Sequence, residues 1–136
     1  EEADGAFQRA LKVDPTFFAA LINRGIANVS MKRYGEAVPP LRKALAKNDQ
    51  SAVGHYFLGQ ALANLGLFDN AEKELRTSLN LGGEEMREAH RIIAIIYTAN
   101  GEKLKAAAEL EAFLRITPAA PDADKIRETI SNLKTP

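Results

Sequence analysis

The stretch of sequence that decides the fold runs from His55 to Leu79 and reads HYFLGQALANLGLFDNAEKELRTSL. Its apolar residues recur at the spacing of two amphipathic helices. Gly66 stands between them and favours a helix end, because glycine takes the left-handed backbone conformation without steric cost. The stretch therefore predicts a helix, a short turn and a second helix.

The same pattern recurs at a step of 34 or 35 residues on either side of this stretch. In the second helix the most regular positions are Ala37 and Leu41, Ala71 and Leu75, and Ala106 and Leu110. In the first helix the recurring small residues are Gly25, Gly59 and Ala94. A fixed period of this length is typical of a stacked array in which no unit buries its apolar face alone. The small residues are expected where two helices approach closely.

The repeat divides the whole chain. We expect the antiparallel helix pairs 16–31 with 35–47, 51–65 with 69–81, and 85–100 with 103–116. The corresponding units are 16–49, 50–83 and 84–118, preceded at 1–15 by the second helix of an incomplete unit. Beyond Pro118, a helix over 122–134 with Asp122 as its N-cap is expected to cover the end of the stack.

These motifs resemble those of the tetratricopeptide repeat family. The residues that carry the resemblance are His55-x-x-Leu58-Gly59-x-x-Leu62 with Ala71-x-x-x-Leu75, and His90-x-x-Ile93-Ala94-x-x-Tyr97 with Ala106-x-x-x-Leu110 and Pro118. The resemblance covers residues 1–118 and implies an all-α, right-handed superhelical array of helix-turn-helix repeats. About three units would follow a half-unit and precede a capping helix. In the first unit, Arg24 and Asn28 replace the usual Leu and Tyr, so either that helix has an exposed flank or its core face is rotated.

Composition narrows the function classes. Eighteen basic residues balance eighteen acidic ones, so no net field attracts nucleic acid or an anionic membrane. The chain has no cysteine, which excludes disulfides, thiolate metal sites and a thiol nucleophile. No apolar run approaches the length of a membrane-spanning helix. The composition is typical of a soluble globular chain, and it leaves the compartment unknown. The repeat pattern begins partway through a unit, as we would expect of a fragment of a longer protein.

His55 and His90 are the natural candidates for catalysis or metal binding, and they occupy the same repeat position. That position usually holds a bulky aromatic residue in the family, so we interpret both as packing residues. No cysteine or nearby acidic residue supplies further metal ligands, and no nucleophile motif is present. We therefore predict no enzyme activity, no catalytic residue, no metal site and no cofactor.

The resemblance implies a concave groove lined by the first helices of the units. The groove residues that it implies are Ile22, Ile26, Val29, Tyr56, Gln60, Glu88, Arg91, Ile95 and Thr98. Ile22, Ile26 and Val29 can form one apolar stripe, and the alternative is that this stripe is part of the core. Family members that grip acidic chaperone tails use a clamp of Lys, Asn and Arg. At the corresponding positions this chain has Ile22, Ile26, Phe57, Glu88 and Ile92, which argues against that subclass.

The leading hypothesis is a protein-interaction module that binds an apolar or amphipathic peptide or helix of a partner protein, with Tyr56 and Arg91 as anchors. The alternative is self-association, for example as a homodimer, through Phe7 and Leu11 of the incomplete first unit.

Overall fold

The computed structural model describes residues 14–136, which form seven α-helices and one short 3-10 helix. The helices are α1 (Pro15–Ser30), α2 (Tyr34–Lys47), α3 (Ala52–Asn64), α4 (Phe68–Gly82), α5 (Glu88–Ala99), α6 (Lys103–Ile116) and α7 (Ala123–Lys134), with the 3-10 helix at Gly83–Met86. No strand occurs within this range. The expected half-unit at 1–15 lies almost wholly outside the described residues.

The helices pair in chain order and the pairs stack. α1 packs on α2, α3 on α4 and α5 on α6, and each pair contacts the next through α2 with α3 and α4 with α5. One apolar core runs from α1 to α5, and a second joins α5 and α6 to α7. The all-α array of helix-turn-helix units is therefore confirmed, and α7 covers the apolar end of the third unit.

Glycine allows the two helices of a unit to approach closely. A Cβ added to Gly59 would lie 2.6 Å from Cγ of Leu75, and one added to Gly25 would lie 2.4 Å from Cγ of Leu41. Both distances are shorter than van der Waals contact. The repeated small residue and the repeated leucine are thus two sides of one packing contact.

The helix ends follow from local chemistry. The side chains of Asp14 and Ser51 accept hydrogen bonds from the backbone N–H groups of Phe17 and Gly54, which caps α1 and α3. Gly66 takes a positive φ of 79° directly after α3, as predicted. The expected start of the helix at residue 85 is wrong, because Gly83–Met86 forms a 3-10 turn and α5 begins at Glu88.

Asn28 compensates for a proline in the neighbouring helix. Pro40 lies inside α2 and has no N–H to donate to the carbonyl of Glu36, four residues earlier. The side-chain amide of Asn28 donates to that carbonyl oxygen instead, at 3.3 Å. Arg24 is exposed. The structure therefore shows an exposed flank at Arg24, and the burial of Ile22 and Val29 shows that the core face of α1 is rotated as well.

Candidate functional site

The nine residues implied for the groove separate by burial. Ile22 and Val29 are only 7% and 6% exposed and belong to the core, so the expectation that they are exposed is wrong. Cδ1 of Ile22 lies 3.0 Å from where a Cβ on Gly54 would stand, because Ile22 fills the space between α1 and α3. Ile26 is half-buried against the same core. The stripe on α1 therefore belongs mainly to the core and not to the groove surface.

The other six residues lie on α3 and α5, which contact each other directly. Tyr56, Gln60 and Arg91 are half-buried, whereas Glu88, Ile95 and Thr98 are exposed. Ile95 is 67% exposed, which is unusual for a large apolar side chain in the middle of a helix. Five of these six residues line one of two separate depressions, and Gln60 lines neither.

The first depression, here called the α3–α5 pocket, has a volume of about 230 Å³. It is lined by Val53, Tyr56 and Phe57 of α3, Glu85 and Met86 of the 3-10 helix, and Glu88 of α5. The rings of Tyr56 and Phe57 meet edge to face with their centroids 5.1 Å apart. The pocket therefore has an aromatic and aliphatic wall with two carboxylates beside it.

The second depression, here called the α5–α7 pocket, has a volume of about 560 Å³. Its lining residues are Arg91, Ala94, Ile95, Thr98, Ala99, Leu110, Asp122, Lys125, Ile126 and Thr129. Three of the groove residues implied by the sequence, Arg91, Ile95 and Thr98, are brought together here.

Sequence reasoning missed the four lining residues of the α5–α7 pocket that belong to α7 and the turn before it. In the sequence, the apolar stripe of Ala123, Ile126, Ile130 and Leu133 indicates only which side of that helix faces the core. The missed signal was the position of the capping helix α7. It lies beside α5, where the first helix of a further unit would lie. It can therefore extend the groove as such a helix would, with Lys125 and Thr129 four residues apart on one face, next to Ile126.

Arg91 is held by residues of this chain. One guanidinium nitrogen donates to the carboxylate of Asp122 at 2.7 Å, another lies 3.8 Å from Glu88, and the group sits 5.2 Å from the ring centroid of Phe113. Asp122 occupies the N-cap position of α7, but its side chain caps no backbone N–H, so its predicted capping role is wrong. Its carboxylate instead ties the start of α7 to α5.

Tyr56 lies close to both charges of α5. Burial raises the pKa of Tyr56, the carboxylate of Glu88 raises it further, and the guanidinium of Arg91 lowers it. Tyr56, Glu88 and Arg91 therefore share one electrostatic environment, at the border between the two pockets.

The two histidines have acidic partners that sequence reasoning did not find. Nδ1 of His55 lies 2.6 Å from a carboxylate oxygen of Glu74, and Nδ1 of His90 lies 2.8 Å from one of Glu109. The expectation of no close acidic partner is therefore wrong. Glu109 also pairs with Arg76 at 2.8 Å. Within 14–136, no group of three or more His, Cys, Asp or Glu residues is placed to hold a metal ion.

No helix among the described residues has both the length and the apolar character needed to cross a bilayer.

The tetratricopeptide repeat family matches residues 1–53 and 56–121, and the chain belongs to this family. It is 32% identical over 77 residues to the E3 ubiquitin-protein ligase CHIP of Arabidopsis thaliana. The aligned stretch covers 57% of this chain and 28% of that protein. The chain spans less than a third of the length of the curated relatives it matches.

Solved structures of other repeat domains have the same fold. The first repeat domain of Spaghetti (RPAP3), bound to the HSP90 peptide SRMEEVD, superimposes with a TM-score of 0.77 at 19% identity, covering 90% of this chain and 98% of that one. The type III secretion chaperone SycD of Yersinia enterocolitica, in complex with a peptide of the translocator YopD, gives a TM-score of 0.72 at 14% identity over 85% and 87% of the two chains.

Proposed function

We propose that this chain is a non-enzymatic protein-interaction module that binds an apolar or amphipathic segment of a partner protein in its concave groove. The observation that carries the proposal is Ile95, which is 67% exposed and borders a pocket of about 560 Å³. An apolar side chain left in water beside a concave surface favours a partner that covers it.

The polar groups around Ile95 suit a peptide ligand. Thr98 and Thr129 offer hydroxyl groups at the border of the α5–α7 pocket, and Lys125 offers a cation. Between the two pockets, the half-buried ring of Tyr56 adds a rigid aromatic surface of the kind that dominates binding energy at many interfaces. Two of the structurally similar domains are bound to peptides, which supports this class of function.

The groove chemistry argues against a clamp for an acidic chain end. Arg91 is the only positively charged residue among the six groove residues on α3 and α5, and Asp122 and Glu88 already neutralise it. A bound carboxylate would have to displace Asp122 from a 2.7 Å contact. We therefore propose a ligand whose affinity comes from apolar contact.

The test compares two exposed apolar residues, one that lines the α5–α7 pocket and one that lines neither pocket. Ile95→Glu places a charge in the α5–α7 pocket, whereas Leu104→Glu does so at the start of α6, where Leu104 is 70% exposed and lines neither pocket. A phage-displayed library of random peptides is panned on the unmodified chain, and the selected peptides are measured against both variants. Burial of one isoleucine corresponds to about 1.5–3 kcal/mol, so Ile95→Glu should weaken binding about 10- to 100-fold.

Leu104→Glu should leave the affinity unchanged, and circular dichroism should show both variants folded. Equal losses in the two variants, or no selected peptides at all, would refute the groove proposal.

Self-association is a second candidate. Phe7 and Leu11 lie outside the described residues, but Phe17 at the start of α1 is 37% exposed. A second copy of the chain would cover this ring. Light scattering across a concentration series checks it, since a mass that stays monomeric at every concentration removes the candidate.

A further inference from the structure

We infer that the α3–α5 pocket receives a lysine or arginine side chain of the partner segment. The inference rests on the proposed binding function and adds the chemical class of one ligand residue.

The size and wall of the pocket suit one long side chain. Its volume of about 230 Å³ is below that of most sites for small organic ligands. Val53, Phe57 and Met86 give it an apolar surface, and Val53 is 39% exposed. Lysine and arginine can lay their methylene stems along such a surface and keep the charged group at its edge.

The two charged residues that line the pocket are both negative. Glu85 and Glu88 both line it and both are exposed, and no basic residue lines it. The nearest cation to Glu88 is Arg91 at 3.8 Å, which bonds Asp122 more closely at 2.7 Å. Among the described residues, no cation lies within ion-pairing distance of Glu85. Glu85 is therefore available to a cation supplied by the partner, and Glu88 is held only by the longer of the two contacts of Arg91.

Other side chains fit this pocket less well. A purely apolar side chain would remove water from the two carboxylates without replacing it, which costs free energy. An acidic side chain would meet like charges. A guanidinium or ammonium group can pair with a carboxylate at the edge of the pocket, and the Tyr56 and Phe57 rings add a favourable surface for a cation.

The α5–α7 pocket has no excess of negative charge. Of its charged lining residues, Arg91 is paired with Asp122, and Lys125 adds one positive charge. Glu88 and Ile95 are seven residues apart on α5, so the two pockets are offset by about 10 Å along that helix. A partner with a basic residue in the α3–α5 pocket and an apolar residue at Ile95 would thus bind in one direction only.

Panning a phage-displayed random peptide library on three proteins tests this inference. The unmodified chain should enrich lysine and arginine at one position of the selected peptides by about threefold or more over the starting library. Glu85→Lys with Glu88→Lys should abolish that enrichment and select acidic residues instead. The matched control is Glu84→Lys with Glu128→Lys, which makes the same change in net charge at exposed residues that do not line the pocket. It should keep the basic preference.

The outcomes separate the two proposals. If selected peptides lose affinity for Ile95→Glu but show no basic preference, or keep that preference on the Glu85/Glu88 variant, the assignment of the pocket is wrong and groove binding stands. If no peptide is selected, or Ile95→Glu has no effect, groove binding itself fails and the assignment fails with it.

Discussion

The imidazole of His55 and the carboxylate of Glu74 lie 2.6 Å apart, and His90 and Glu109 repeat this contact at 2.8 Å in the next unit. Both pairs join the first helix of a unit to its second. In the first unit the equivalent positions hold Leu21 and Pro40, which line a common cleft. The polar contact that joins the helices of two units therefore has no polar counterpart at these positions in the first unit.

Replacing Glu74 by alanine should destabilise the fold. The side chain of His55 is only 12% exposed, so loss of its partner leaves a half-buried nitrogen without a hydrogen bond. We expect the free energy of unfolding in urea to fall by about 1–3 kcal/mol. Glu128→Ala, at an exposed site on α7, is the control and should change it by less than about 0.5 kcal/mol.

A compensating double variant checks the interpretation of this pair. His55→Phe with Glu74→Leu replaces both polar partners by apolar groups, and the family usually has a bulky aromatic residue at the position of His55. Much of the lost stability should return. If the double variant is less stable than Glu74→Ala alone, the interpretation that this pair only fills the space between the two helices is wrong.

The close approach of helices within a unit predicts opposite effects for two glycine substitutions. Gly59→Ala places a methyl group 2.6 Å from Cγ of Leu75 and 3.2 Å from the backbone oxygen of Ala71, and should cost about 1–3 kcal/mol. Gly35→Ala, in the first turn of α2, meets nothing within 4 Å and should stabilise by up to about 1 kcal/mol. Thermal melts of the two variants should shift in opposite directions, and a shift in the same direction would contradict the packing described here.

The pKa of Tyr56 reports on the middle of the groove. Burial and then Glu88 raise it above its ordinary value of 10.0. Because the folded-state pKa is the higher one, the neutral phenol contributes stability that is fully present below about pH 10 and is lost as the pH rises through the folded value. Glu88→Gln should move the titration of Tyr56 to lower pH, followed by NMR of labelled tyrosine. Glu84→Gln is the control, and an equal shift there would show that Glu88 is not specifically close.

The capping helix should depend on Ile126. This residue is 5% exposed and packs with Phe113 and Leu110 of α6. Ile126→Ala removes buried apolar volume worth about 2–5 kcal/mol, and the loss should appear first as faster amide hydrogen exchange along α7. Lys125→Ala, one residue earlier and exposed, should leave that exchange unchanged. Unchanged exchange in Ile126→Ala would show that α7 is not held by this contact.

The sequence predicted the helices well and the groove only in part. Glycine, leucine and alanine recur at fixed steps, and such local periodicity fixes where helices begin, end and pack. Ile22 and Val29 were placed on the wrong side because an apolar stripe looks the same whether it faces the core or a groove. Glu74 and Glu109 were missed as partners because each lies 19 residues from its histidine, on another helix.

The repeat of small and large residues by itself determined that this chain folds as stacked helix pairs, since each pair has an apolar face that only a neighbour can cover. The tertiary structure alone decided which side chains remained uncovered. Ile95 stays in water beside the pocket between α5 and α7, and Arg91 is neutralised because the turn after Pro118 brings Asp122 beside it. Contacts of this kind depend on how separate helices are placed relative to each other, which no spacing along one helix records.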